Sequence, residues 1–243
     1  MKSLRGEPVG LRLSSGTSPP GFRVKKYLGC GYESCGSYLV TERHSNLPRR
    51  LKLFHEADIE YEHIGHVAFT FDRLHRANST PPYHRIGTWH HDKLGTFAYL
   101  VLGYVEGKPL VDLLAPGRWR RGSWSPNKAL GILHAMAAKL AAVHDTGLAA
   151  GDFEHGYNVI IDKAGEPWWI DIDAGTPDEP NTDQESDVAM WFGLLDQLMA
   201  HTPESPLVTL MDRRLARIRK RKFRRGTMHD ITAVMAKTLE AEG

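Results

Sequence analysis

Apolar and polar positions alternate in two stretches near the start of the chain, and a period of two predicts strands. Phe22 to Val40 reads as a two-strand hairpin around a glycine-rich turn, Leu28-Gly29-Cys30-Gly31-Tyr32-Glu33-Ser34-Cys35-Gly36. Arg49 to Phe54 alternates again, with Lys52 between Leu51 and Leu53. The period then changes. Tyr61, Ile64, Val67/Ala68, Phe71 and Leu74 recur at three- and four-residue spacing, which predicts a helix over 55–77. Glu60 falls on the inward edge of that stripe and Glu62 points away from it. Phe97 to Leu102 is an unbroken apolar run of strand length, so it predicts a buried strand. Ser125-Pro126 opens a second helix, because Ser caps N-termini and Pro fits the first turn. Leu130, Leu133, Ala137 and Leu140 form its apolar face, and Gly147 suits its C-cap. Two short apolar strands follow, Val159 to Ile161 and Trp168 to Ile170, around the turn Lys163-Ala164-Gly165-Glu166.

Length changes this picture little. At 243 residues the chain is one or two domains with a sizeable core. No apolar run approaches 18 residues, so no transmembrane segment is expected. Met1 to Gly21 is rich in Gly, Ser and Pro, lacks a hydrophobic signal core, and is expected to be a flexible leader. The two cysteines, Cys30 and Cys35, make neither a disulfide framework nor a metal-ligand set, which fits a reducing cytoplasm.

Charge changes it more. The net charge is only +2, but nine of the thirteen residues from Arg213 to Arg225 are basic. Without those nine, 22 Lys+Arg face 29 Asp+Glu, or −7. An acidic body with so dense a basic segment at 213–225 is expected to contact a polyanion, such as anionic lipid, lipopolysaccharide or RNA.

The chemistry is concentrated in Gly151-Asp152-Phe153-Glu154-His155-Gly156-Tyr157-Asn158 and in Asp171-Ile172-Asp173. A helix delivers one Asp, an Asn follows, and a hairpin ends on a second Asp. Phosphoryl transfer needs that set: one carboxylate to orient the attacking hydroxyl, and an Asn and a second carboxylate to hold Mg²⁺ on the ATP phosphates.

From about Val24 to Ala200 these motifs resemble the protein-kinase-like superfamily. The resemblance implies an α+β, two-lobed fold: a small β-rich N-lobe at 22–102 and a reduced helical C-lobe at 103–243. It implies ATP and Mg²⁺ as cofactors. Asp152 matches the catalytic Asp, Asp171 the metal-binding Asp of Asp-Phe-Gly, and Asn158 the second metal ligand. Lys52 matches the lysine on the α/β-phosphates, with Glu60 or Glu62 as its partner. Gly29 and Gly31 take the first two places of the Gly-rich loop and Ser34 the third. Gly103 and Val105 would bond adenine through their backbone, in a Tyr104-Val105-Glu106-Gly107 turn like the kinase hinge. Ser186-Asp187-Val188 resembles the helix whose buried Asp braces the catalytic loop. His144 reads as a packing residue.

The chain departs from the family pattern in three places. Asn158 stands six residues after Asp152 rather than five. Ala149-Ala150-Gly151 replaces the usual His or Arg. Only 15 residues separate Asp171 from Asp187, too few for a long activation segment. This plan resembles lipopolysaccharide-core and Kdo sugar kinases and RIO-type kinases. The resemblance implies phosphorylation of a hydroxyl on a non-peptide acceptor, an envelope saccharide first, by a cytoplasmic protein in peripheral contact with the inner membrane. The alternatives are an atypical Ser/Thr protein kinase and a pseudokinase that binds nucleotide without turnover.

Overall fold

The computed structural model describes residues 10–14, 16–30, 34–55, 61–114, 125–202, 205–221 and 226–242. The chain divides into two compact units, the first formed by 1–72 and 81–104, the second by 73–80 and 105–243.

The first unit is built on a five-stranded antiparallel sheet in the order β1-β2-β3-β5-β4. Its strands are β1 (Phe22–Gly29), β2 (Gly36–Glu42), β3 (Pro48–His55), β4 (Tyr83–His91) and β5 (Gly95–Gly103). Alternation sorts their side chains onto two faces. Val24, Tyr38, Val40, Leu51, Leu53, Phe97, Tyr99 and Val101 form one buried cluster on one face. Within the stretch expected to be a leader, Leu11 and Leu13 pack against that cluster. The Leu11 amide donates to the Cys35 carbonyl at 2.7 Å, and the Tyr38 hydroxyl donates to the Leu11 carbonyl. Burial is the main reason the Tyr38 phenol is pushed up from its ordinary pKa.

Helix α1 (Tyr61–Arg76) carries the predicted stripe, with Ile64, Ala68, Phe71 and Leu74 all buried. His55 does not begin this helix as expected. It is the last residue of β3, and its ring packs edge-on to Phe97 at 5.4 Å. Strand β4 was not evident from the sequence, because Tyr83-His84-Arg85-Ile86 has no clean alternation. Tertiary contacts hold this edge strand: the Arg85 guanidinium lies 4.7 Å from the Phe22 ring centre.

The second unit holds a small antiparallel sheet of β6 (Gly107–Pro109), β7 (Val159–Asp162) and β8 (Pro167–Trp169). Among the described residues its helices are α2 (Leu110–Leu114), α3 (Pro126–Asp145), α4 (Gln184–His201), α5 (Pro206–Arg219) and α6 (Thr227–Glu242). Helix α3 starts as predicted, with the Ser125 side chain accepting the Lys128 amide at 3.2 Å and Pro126 in the first turn. It ends beside Gly147, whose φ of 82° closes the helix at little cost. Lys139 on α3 is buried, yet its ammonium donates to the Pro167 carbonyl at 2.8 Å and lies 3.3 Å from Glu166. Burial pulls this ammonium below its ordinary pKa, against the opposing pull of Glu166.

The described part of the basic segment, from Arg213 to Arg221, lies on and just after α5. Leu207, Val208, Met211, Leu215 and Ile218 of α5 are buried, as are Met228, Ile231 and Met235 of α6. Hydrophobic burial thus draws both helices into the second unit.

Candidate active site

Loop 149–158 is shaped by one buried carboxylate. Asp187, in the first turn of α4, is fully buried. Its Oδ2 accepts the Ala150 amide at 2.8 Å and its Oδ1 accepts the Gly151 amide at 2.8 Å. His144, near the end of α3, donates from Nε2 to the same Oδ2 at 2.9 Å. His144 therefore does more than fill space: it helps fix the carboxylate that fixes the loop.

Four residues of the loop have positive φ: Gly151 at 59°, Asp152 at 49°, His155 at 57° and Gly156 at 78°. Glycine accepts this region freely, whereas Asp152 and His155 do so against their Cβ atoms. Such strain is of order 1–3 kcal/mol per residue and persists only where the surroundings over-determine it. Here Asp187 clamps the chain before Asp152, and the Asn158 amide clamps it after. Asn158 Nδ2 donates to the Asp152 carbonyl at 2.7 Å and to its carboxylate at 2.8 Å. The extra residue before Asn158 is accommodated by a tight turn at Glu154–Gly156, so the amide still reaches Asp152. Phe153 is buried edge-on to Trp169 at 5.8 Å, which turns its neighbour Asp152 outward into solvent.

Gly151 is required for space as well as for φ. A Cβ there would stand 2.7 Å from Asn181 Nδ2 and 2.7 Å from Asp173 Cβ. That close approach explains why neither Arg nor any other side chain precedes Asp152.

Two backbone bonds join the segment after β8, which carries Asp171, to this loop. The Ile170 amide donates to the Asn158 carbonyl at 2.9 Å and the Asp173 amide to the Ala150 carbonyl at 3.2 Å. Asp171 is thereby held one residue beyond the Asn158 attachment. The hairpin before it is capped by Asp162, whose Oδ1 accepts the Ala164 and Glu166 amides at 2.8 and 2.9 Å, and whose Oδ2 accepts the Trp168 indole at 3.0 Å. Burial alone would raise the Asp162 pKa, but these bonds outweigh it and hold the carboxyl below its ordinary value. Asp173 serves a turn, accepting the Gly175 amide at 3.0 Å.

Asn181 was not singled out from the sequence. Its carbonyl accepts the Ala149 amide at 3.0 Å, and its Nδ2 donates to the Asp173 carbonyl at 3.1 Å. It ties the segment after Asp171 to the loop that carries Asp152. A lone Asn in a polar loop carries no signal of such a role.

The residues expected on the nucleotide side fall mostly in the first unit. Lys52 is 5% exposed on β3, its ammonium 5.6 Å from the Phe54 ring centre. Gly29 ends β1 with φ 138°, and Ser34 is buried before β2. Glu62 is exposed in the first turn of α1. Gly31 and Glu60 lie outside the described residues. The Gly103 amide donates to the Pro82 carbonyl at 2.8 Å. A Cβ at Gly103 would meet Pro82 Cδ at 2.8 Å, so the Pro81-Pro82 turn accounts for glycine here. In the second unit, Val105 is half-buried before β6.

Among the described residues there is no cluster of three His, Cys, Asp or Glu that could hold a metal ion. Mg²⁺ on a nucleotide needs no such cage, because one or two protein oxygens and the phosphates suffice. Asp171 and the side-chain oxygen of Asn158 fit that donor set. A surface cavity of about 400 Å³ in the second unit is lined by Glu106, Lys108, Lys128 and Lys163 but by none of these site residues.

The fold is that of a protein kinase domain, with an antiparallel sheet in its N-terminal part and helices in its C-terminal part. Two crystal structures of the PknI kinase domain of Mycobacterium tuberculosis superpose with TM-scores of 0.62 and 0.61, at 18% and 17% identity. Both cover 94% of this chain and 100% of that domain. Over 70 residues the chain is 40% identical to the serine/threonine-protein kinase pkn2 of Myxococcus xanthus. Over the same length it is 37% identical to the serine/threonine-protein kinase PksC of Streptomyces coelicolor. The matched segment is 29% of this chain and spans only 8% and 12% of those two relatives. No family model matches the chain.

Proposed function

We propose that the protein transfers the γ-phosphoryl group of ATP to the hydroxyl of a serine or threonine in a protein substrate. The observation that carries this reading is the double clamp on Asp152. A strained, solvent-facing carboxylate is held by Asp187 through Gly151 and by Asn158 directly. In the proposed roles, Asp152 accepts a hydrogen bond from the acceptor hydroxyl and orients its oxygen for attack. Lys52 grips the phosphates, and the loop containing Gly29, Gly31 and Ser34 covers them. Gly103 and Val105 bond the base, and Glu60 or Glu62 steadies Lys52. Asp171 and Asn158 hold Mg²⁺, which neutralises charge on the phosphates. Catalysis of this kind is mostly positioning and charge stabilisation.

The local likeness to serine/threonine kinases favours a protein acceptor over the saccharide expected from the sequence. One observation supports the non-peptide acceptor as a second reading. The segment after Asp171 closes on itself, with Thr176 donating to Glu179 at 2.9 Å and Asn181 to Ala174 at 3.1 Å. So short a turn offers little platform for a peptide.

The polyanion contact is proposed for part of the basic segment only. Arg214 donates to Thr238 at 3.0 Å, and Arg219 bonds Asp196 at 2.7 Å. Arg213 and Arg217 are exposed four residues apart on α5, and Lys220 and Arg221, just beyond its end, are exposed as well. Lys222 to Arg225 lie outside the described residues.

The test is γ-phosphate transfer from labelled ATP with Mg²⁺ to the protein itself, a protein extract and an envelope saccharide fraction, with Asp152→Ala as control. Label in protein that vanishes in the variant supports the kinase reading. Label only in saccharide supports the second reading. ATP binding with no label in any fraction is the pseudokinase result and overturns both.

A further inference from the structure

The face of the first unit's sheet that carries Lys52 can be read row by row. Leu51 and Leu53 belong to the buried cluster on one face. Arg50 and Lys52 therefore project from the other. Opposite Lys52 stand Ser37 on β2 and Leu100 on β5. Opposite Arg50 stand Leu39 on β2 and Leu102 on β5. The next pair toward the end of β5 is Arg49 with Gly103. A nucleotide bonded at Gly103 and gripped at Lys52 thus runs along β3 and crosses the row Leu39–Arg50–Leu102. Two residues of strand separate that row from Lys52, about 7 Å.

This middle row is where the flat base would lie, and its centre is a guanidinium between two leucines. The guanidinium is oriented. Arg50 Nε donates to Ser37 Oγ at 2.9 Å, and Ser37 is 4% exposed. Ser37 is the diagonal neighbour of Arg50, so the side chain is drawn along the sheet toward Lys52 rather than outward into water. A guanidinium tethered through Nε, in a row whose neighbours are two leucines, is a planar cation in a mostly apolar row of the sheet. Such a group stacks on aromatic rings, and lysine does not reproduce it.

Resting on the nucleotide reading above, we propose that Arg50, held by Ser37, stacks on the base of the bound nucleotide and forms its cover on the β2–β3 side. The phosphates are left to Lys52. Arg50 is then a binding residue with a contribution independent of phosphate number.

The experiment measures the affinity of adenosine, ADP and ATP by calorimetry for the native protein and for Arg50→Ala, Arg50→Lys, Ser37→Ala and Lys52→Ala. Arg50→Ala is expected to weaken all three ligands by the same factor, about five- to thirty-fold. Arg50→Lys is expected not to restore binding, and Ser37→Ala to lose part of it. Lys52→Ala is expected to weaken ADP and ATP while sparing adenosine. If Arg50→Ala does not fold, Arg50→Lys and Ser37→Ala carry the same comparison. A loss that grows with each phosphate makes Arg50 a phosphate ligand and overturns the proposal. So does unchanged affinity in the Arg50 variants while Lys52→Ala still weakens ATP. A native protein that binds none of the three ligands overturns the nucleotide reading itself.

Discussion

Asp187 accepts the Gly151 amide at 2.8 Å from a fully buried position, one residue before the strained Asp152. With the Ala150 amide and His144 on the same carboxylate, it carries three hydrogen bonds. Removing it strands two amides away from water, at roughly 1–3 kcal/mol for each. Asp187→Ala is expected to lower the melting temperature by several degrees, at about 2–4 °C per kcal/mol for a chain of this size. Asp187→Asn keeps an acceptor oxygen and should fall between the two. Scanning calorimetry of the three proteins checks the order. Equal melting temperatures would mean the clamp is dispensable.

Gly151→Ala tests the close approach beside the clamp. The new methyl meets Asn181 and Asp173 at 2.7 Å and the backbone is at φ 59°. The loop must shift to relieve this, and Asp152 moves with it. The expected result is a fall in turnover of about 100-fold, the scale for a misplacement near 1 Å. ATP affinity should change much less. Steady-state kinetics with independent nucleotide titration separates the two quantities.

Asn158 has two proposed tasks: holding Asp152 through Nδ2, and offering Oδ1 to Mg²⁺. Asn158→Ala removes both. Turnover is expected to fall, and the Mg²⁺ concentration for half-maximal rate is expected to rise. Asn158→Asp restores an oxygen donor but not the amide N–H. It should recover the metal dependence more than the turnover. A metal dependence unchanged in both variants would leave Asn158 a loop brace only.

Asp162 ties acid stability to the hairpin that delivers Asp171. Its folded pKa lies below the unfolded value of 3.8. Between those two values the unfolded chain holds a proton that the folded chain does not, so stability rises with pH there. The contribution is complete above the unfolded value and is lost as pH falls through the folded one. Asp162→Asn should therefore be less stable than the native protein near neutrality. The gap should narrow as the pH drops from about 5 to about 2. Denaturant midpoints across that range measure it, and a constant gap would contradict the assignment.

The basic residues of α5 should divide into two groups. Arg219→Ala loses the ion pair with Asp196 and the stack on Phe192, at 4.6 Å from its ring centre, and should lower stability. Paired substitution of Arg213 and Arg217 to Gln should leave stability within about 0.5 kcal/mol. It should flatten the salt dependence of binding to anionic vesicles or RNA by about two contacts. Identical slopes for the native and substituted proteins would remove those arginines from any polyanion surface.

Much of this molecule was legible from local pattern. The 3.6-residue stripe in α1, the Ser125-Pro126 start of α3 and the alternation in β3 each record a side chain meeting a core or a cap. Such signals are written within one or two turns of the chain. The kinase-like order of Lys52, Asp152, Asn158 and Asp171 was legible for the same reason: it is an order of residue types along a line. Strand β4 was not, because its local alternation is weak and the Arg85 contact that supports it is with Phe22, far away in sequence. The roles of Asn181 and His144, and the packing of α5 and α6, also depended on distant partners. The need for glycine at 151 and 103 could be seen only where Asp173, Asn181 and Pro82 crowd those positions. The sequence by itself thus determined α1, the start of α3, the strand β3 and the order of residue types in the loops between elements. Tertiary structure alone decided which amides Asp187 satisfies, where Asp152 points and what Arg50 lies against, because those depend on distances between residues that the linear chain does not encode locally.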